Sequence, residues 1–280
     1  MSTTTYDQVI VGTDGSRTAS GAVGVAASVA ARLGVPLVVV TAWQRGRDDI
    51  PTPEEASFPG GGADGAEAMW ASNTIADAAA IGRRAGVEDI EQRTPQGSPA
   101  QAMLDLSDDR PGALVVVGTV GLGDRAERLV GNVPHQLTHH CRRDLLLVHG
   151  ERPHEEAPWT TVALATDGSP TAALAVERGR RFAEAVSAGE LWLLAAARDE
   201  ASGQELLDRA VAQDQALATA QRHVATGDHA GDTLARAGST FDLLVLGNKG
   251  MSGPSRLLGS VANRVTHAAT TDLLLVNTSR

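Results

Sequence analysis

Residues 9–16 read V-I-V-G-T-D-G-S, and residues 162–169 read V-A-L-A-T-D-G-S. Each segment opens a half of the chain that closes on a glycine signature. In the first half it is Gly118-x-x-Gly121, nine residues, then Gly131-Asn132. In the second it is Gly247-x-x-Gly250, eight residues, then Gly259-Ser260. The chemistry such a signature serves is anion binding. A phosphate chain needs several backbone N–H groups at close range, and a Cβ at those points holds it away. Where the signature runs into a helix, the helix N-terminus adds unpaired N–H groups and partial positive charge. Ser260 can donate a hydroxyl hydrogen bond to a phosphate oxygen and Asn132 an amide one. Arg125, Arg128, Lys249 and Arg256 supply charge in the same loops. No G-x4-G-K-[ST] occurs, which excludes a P-loop NTPase. No G-x-G-x-x-G follows a first strand, which disfavours a dinucleotide site. Asp14 and Asp167 are the nearest carboxylates. No histidine or second carboxylate is paired with either at a convincing place, so ligand contact or turn capping accounts for them without catalysis.

Such loops must be carried on strands. Residues 8–13 form a short apolar run that ends in Asp-Gly-Ser, a buried strand passing into a helix capped by Ser16. Ala22, Val25, Ala26, Val29 and Leu33 share one face of that helix, and Gly34 stops it. Residues 36–42 are rich in β-branched side chains, as a central parallel strand should be. Residues 44–65 hold Pro51, Pro53, Pro59 and the glycines Gly60–Gly62; with no counterpart in the second half, they read as an inserted loop flanked by Trp43 and Trp70. Next come a helix over 66–84, an edge strand over 88–94, and a helix with Ser98 as N-cap and Pro99 in its first turn. A buried strand at 113–117 leads into the first glycine signature. A short helix at 133–140 and a last strand at 145–148 complete the half. Residues 151–158, E-R-P-H-E-E-A-P, read as a linker.

The second half repeats the order. It has strands at 161–166, 191–196, 221–226, 241–246 and 273–276, and helices at 169–186 and 203–221. Two domains follow, residues 1–150 and 159–280. Alternating strands and helices make each an α/β unit, flavodoxin-like or Rossmann-like, with a five-stranded parallel sheet covered by helices on both faces. If the first and fourth strands are neighbours, the order is 3-2-1-4-5. The T-D-G-S and glycine loops then flank one crevice at the carboxyl ends of the strands, where the strand order reverses.

Composition sets outer bounds. The chain has 280 residues with 42% hydrophobic content, enough for two cores. Its net charge of −10 argues against a general nucleic-acid or anionic-membrane binder, and 3% aromatics against base-stacking platforms. A single cysteine, Cys141, allows no intrachain disulfide. With no signal peptide and no long apolar run, a cytoplasmic protein is expected. His135, His139, His140 and Cys141 read as structural or surface residues, because adjacent side chains do not readily converge on one ion; no metal site is expected.

The D-G-S turn after strand one, together with G-x2-G-x9-G-[ST] after strand four, resembles the universal stress protein family. The stretches 247–251 (G-N-K-G-M) and 259–261 (G-S-V) are similar to its bacterial tandem members, and the likeness spans both halves. The resemblance implies an adenine-nucleotide-binding fold that takes ATP, commonly with a divalent metal such as Mg2+ on the phosphates. Carried over by position, Thr13, Asp14 and Ala42 would line the adenine side of the first site. Gly118, Gly121, Gly131, Asn132 and Val133 would hold its ribose and phosphates. The second site would use Thr166, Asp167, Ala196, Gly247, Gly250, Gly259, Ser260 and Val261. Both depart from the pattern: Asn132 stands where Ser or Thr is expected, and the second loop is one residue short.

The reading is a regulatory, nucleotide-binding stress-response module that is not an enzyme and has an unidentified protein partner. The matching L-L-L-V strands of the two halves are expected to pair edge to edge, so that the chain imitates a dimer. A nucleotide-free scaffold, or a slow ATP-hydrolysing or adenylating enzyme, are the alternatives.

Overall fold

A computed structural model describes residues 6–44, 63–119, 132–150, 159–248 and 258–278, with helix side chains from residue 66 onward in the second segment. The inserted loop, the linker and the inner part of both glycine loops, with Gly121, Gly131 and Gly250, lie outside the described residues.

The first half runs β1 (Gln8–Gly12), α1 (Arg17–Leu33), β2 (Leu37–Val40), α2 (Ala63–Arg84), β3 (Ile90–Arg93), α3 (Pro99–Asp108), β4 (Ala113–Gly118), α4 (Asn132–His140) and β5 (Asp144–Val148). The second runs β6 (Thr161–Thr166), α5 (Pro170–Ala185), β7 (Glu190–Ala197), α6 (Glu200–Gln213), β8 (Gln221–Thr226), α7 (Ala230–Gly238), β9 (Leu243–Gly247), α8 (Ser260–Ala268) and β10 (Asp272–Val276). Ten strands form one sheet in the order β3-β2-β1-β4-β5-β10-β9-β6-β7-β8. Each half therefore has the expected order 3-2-1-4-5. Every pairing within a half is parallel, and the two last strands join antiparallel, Leu274 opposite Leu146.

Local sequence explains the element starts. Ser16 accepts the Ala19 amide and Ser169 the Ala172 amide, so two serines at matched places cap α1 and α5. Ser98 does the same for α3, with Pro99 behind it. Gly34 ends α1. The central strands β2, β5 and β10 are buried along their whole length, because helices cover both faces. Side chains alternate between two core layers: Val9 and Val11 enter one, Ile10 the other, and each layer draws residues from both halves.

Several elements differ from expectation, among them the edge strand expected over 88–94, which spans only Ile90–Arg93. The helix expected over 203–221 starts earlier and ends at Gln213, because Asp199 caps it and Asp214 then caps a separate single 3-10 turn. Helix α7 has no counterpart among the expected elements, because its nine residues include two glycines. The β2 strand is shorter than 36–42, since its neighbour β3 is only four residues long. No helix among the described residues is long and apolar enough to cross a membrane.

Candidate functional site

The T-D-G-S turns are built identically in the two halves. The Thr13 hydroxyl accepts the Gly15 amide at 3.2 Å, and Asp14 Oδ1 accepts the Ser16 amide at 3.0 Å. In the second half Thr166 accepts from Gly168 at 3.1 Å and Asp167 Oδ1 from Ser169 at 3.0 Å. Gly15 and Gly168 both have φ of +74°, the left-handed conformation that side-chain-bearing residues avoid. Thr-Asp-Gly-Ser is thus the chemistry of one tight turn: two side chains satisfy amides of the bend, glycine makes it, and serine starts the helix.

Each turn stands at the carboxyl end of a strand with neighbours on both sides. Val11 is level with Val39 of β2 and Val116 of β4, while Leu164 is level with Leu193 of β7 and Val245 of β9. The turn after β1 and the Gly118 loop after β4 therefore rise from adjacent strands, with Ala42 just past β2 on the other flank. Thr166, Asp167, Gly247 and Ala196 hold the same positions in the second half. The chain runs outward from β1 through β2 to β3 and then crosses to β4 on the other side of β1, and likewise around β6, so these are the two places where the strand order reverses.

Gly118 has a second reason to be glycine. A Cβ there would lie 3.1 Å from the Thr18 carbonyl oxygen in the first turn of α1. Helix packing alone thus demands a bare backbone at this point.

The closing segments differ between halves. Gly259 donates its amide to the Asn248 carbonyl at 2.8 Å, which draws the two ends of the second loop together. Gly259 is also the N-cap of α8 and offers no side-chain bond, so the first-turn amides of that helix lack a side-chain acceptor at the cap. Ser260 is exposed beside them. In the first half Asn132 starts α4, and its side-chain oxygen accepts from Gln136 at 2.9 Å. Val133 and Val261 pack, partly buried, against the core.

Helix α2 closes one side of the first crevice. A Cβ on Gly15 would lie 3.3 Å from Thr74 Cγ2, so α2 lies against the T-D-G-S turn. Further along the same helix, Ala66, Glu67 and Trp70 line a cavity of about 410 Å³ with Ala42, Trp43 and Gln44. In the second half the corresponding turn glycine, Gly168, faces Leu206 and Arg209 of α6 instead. Trp43 and Trp70 drew attention in the sequence as neighbours of the inserted loop. Glu67 did not, because a lone glutamate in an alanine-rich helix carries no local signal.

No group of three or more metal-ligating side chains that could hold an ion occurs among the described residues. Asp14 and Asp167 each commit an oxygen to their turn. The histidines gather at the seam between halves: His135 lies 4.8 Å from His139 and 6.0 Å from His267, ring centre to ring centre. Burial, aided by its histidine neighbours, holds His139 below the ordinary histidine range. Burial pushes the Cys141 thiol up, away from the reactive thiolate.

Comparison with known proteins agrees with this architecture. The profile of the Universal stress protein family matches residues 5–149 and again 158–277. Universal stress protein Rv2005c of Mycobacterium tuberculosis is 26% identical over 298 residues, covering 97% of each chain. Universal stress protein Rv1636 of the same organism is 31% identical over 144 residues, covering 51% of this chain and 97% of that one. The crystal structure of a universal stress protein from Archaeoglobus fulgidus is similar in fold, with a TM-score of 0.70 at 15% identity over 98% of this chain and 99% of that chain. Twice-repeated turns, a twice-repeated strand order and a profile that matches both halves lead to one conclusion: this chain belongs to the universal stress protein family.

Proposed function

We propose that the chain binds an adenine nucleotide, ATP with Mg2+ on its phosphates, in the crevice beside each T-D-G-S turn, and acts as a regulatory module in a stress response rather than as a catalyst. The observation that carries this reading is the second crevice. There the α8 N-terminus, without a side-chain cap, follows a loop whose ends are tied by the Gly259–Asn248 bond and stands at the carboxyl edge of the sheet. Family membership supports the stress-response role. Adenine would lie toward Thr13, Asp14 and Ala42, or Thr166, Asp167 and Ala196. The phosphates would lie toward the glycine loops, Asn132 and Ser260. Bound nucleotide would order those loops and bias the surface offered to a partner. Water activation finds no support, since each turn aspartate holds the amide of its own serine.

The test is isothermal titration of ATP and Mg2+ into nucleotide-stripped protein, beside Gly121→Ala and Gly250→Ala. Saturable micromolar binding, part of it lost in each variant, is expected. Absence of binding in the wild type overturns the proposal and leaves a nucleotide-free scaffold. Turnover near the ~1–1,000 per second of ordinary enzymes overturns the non-catalytic part.

A further inference from the structure

The histidines at the seam carry chemistry that neither crevice uses. His135 and His139 stand four apart on α4, in the stretch H-Q-L-T-H. Residues so spaced lie one above the other on one helix face, and this is the spacing at which a helix presents two imidazoles to a single zinc ion. Their ring centres are 4.8 Å apart. Two imidazoles on one ion, each nitrogen ~2.0–2.1 Å from it, bring their ring centres to roughly 5 Å. The sequence neighbours His139 and His140 diverge, with ring centres 6.4 Å apart. Core packing does not account for the pair. Helix α4 buries Pro134, Leu137 and Thr138, while His135 is exposed and His139 only partly buried.

A third histidine faces the pair from the other half. The His267 ring, on α8, is centred 6.0 Å from that of His135. Its Nδ1 lies 2.8 Å from the Asn263 carbonyl oxygen. A carbonyl only accepts, so Nδ1 carries the proton and Nε2 is the bare acceptor of a neutral ring. His267 does not join the pair as a third ligand, since no three such side chains converge among the described residues. Its free Nε2 instead suits a hydrogen bond from a water on the ion. Burial and the neighbouring histidines hold His139 below the ordinary histidine range, which keeps its lone pair available near neutral pH. Imidazole ligands without a carboxylate favour Zn2+, Ni2+ or Cu2+ over Mg2+. Gln136 stands where a helical zinc protease carries its general-base glutamate, and its amide donates to Asn132. The arrangement therefore binds an ion without hydrolytic chemistry.

We propose that His135 and His139 chelate a divalent transition cation of the Zn2+ class on the outer side of α4, that water completes its coordination, and that His267 accepts a hydrogen bond from one of those waters. The ion then links α4 of the first half to α8 of the second, outside both crevices. His267 is a positioning residue, because it touches the water and not the metal. The second half has no matching pair, since Asn263 stands four residues before His267 where His135 stands before His139.

The experiment uses untagged, full-length, nucleotide-stripped protein freed of metal by a chelator, and titrates it calorimetrically with Zn2+ and, separately, with Mg2+. The wild type should take about one Zn2+ and show no matching Mg2+ binding. His135→Ala and His139→Ala should each abolish that binding. His267→Ala should weaken it by about 10–100-fold, the scale of an outer-shell partner. His140→Ala should leave it unchanged. Acid should weaken it, because protons compete for the same nitrogens. Ring resonances of the unaltered protein give a readout that needs no variant: His135 and His139 should move with the first equivalent of Zn2+. No Zn2+ binding by the wild type, or binding that survives unchanged in the His135→Ala, His139→Ala double variant, overturns the inference. Unchanged affinity in His267→Ala overturns the link across the seam.

Discussion

Single buried polar residues do much of the work at the seam between halves. Asp144, at the start of β5, accepts the Tyr6 hydroxyl at 2.8 Å and the Asn277 amide at 2.7 Å, the latter from the other half. Asp272, at the start of β10, accepts the Trp159 indole N–H at 2.8 Å and, from the first half, the His149 amide at 2.8 Å. Burial raises the Asp144 carboxyl above the usual carboxylate range, against the pull of these bonds and of Arg178. The folded protein thus binds that proton more tightly than the unfolded chain does. Asp144 favours folding below its folded pKa and loses that advantage as pH rises through it. His139 behaves in the opposite sense. Its folded pKa is depressed, so its contribution is complete above the ordinary histidine value and is lost as pH falls through the folded one. Thermal melts between pH 8 and pH 5 should show wild-type stability falling in the acid part of that range. His139→Asn should flatten the fall. An equal slope in both proteins would remove His139 from the account.

At the scale of elements, the contact between β4 and α1 couples stability to binding. Gly118→Ala places a methyl 3.1 Å from the Thr18 carbonyl oxygen, a backbone atom that yields only if α1 shifts. We expect a loss of about 1–3 kcal/mol in urea unfolding together with weaker ATP binding in the first half. Unchanged unfolding would show that α1 moves freely. Elements of this kind were legible in the sequence, because strand runs, serine caps and glycine stops are local patterns. Thr161–Thr166 and Gln221–Thr226 agree with the sequence expectation to the residue. The interactions that the sequence did not reveal join distant positions. Glu67 comes beside Ala42 and Trp43 only because α2 packs next to β2. Asp144 and Asp272 carry no local signal and gain their partners only where the seam buries them, and the two glycines of α7 mask its helical pattern. The turn aspartates Asp14 and Asp167 were visible as candidates, and the structure adds their bonds to the serine amides.

Across the whole molecule, ten strands and two core layers run through the seam without interruption. Tyr6 packs on Phe182 of the second half, ring centres 6.0 Å apart, and Arg32 donates to the Val186 carbonyl at 3.1 Å. The halves should therefore unfold together. Asp272→Ala strips the Trp159 indole and the His149 amide of their acceptor, and we expect a cost on the order of 2–4 kcal/mol, seen in calorimetry as one peak moved to lower temperature. Two separate peaks would show that each half stands alone.

The antiparallel join of β5 to β10 has a consequence for how this protein can change over time. In a pair made from identical subunits, every substitution falls on both copies, so an alteration that suits one pocket is imposed on the other. Here the two crevices are written separately in one reading frame, and the chain keeps the halves at one-to-one proportion within each molecule. Glu67 and Trp70 on α2, and Leu206 and Arg209 on α6, are differences that a pair of identical subunits could not hold.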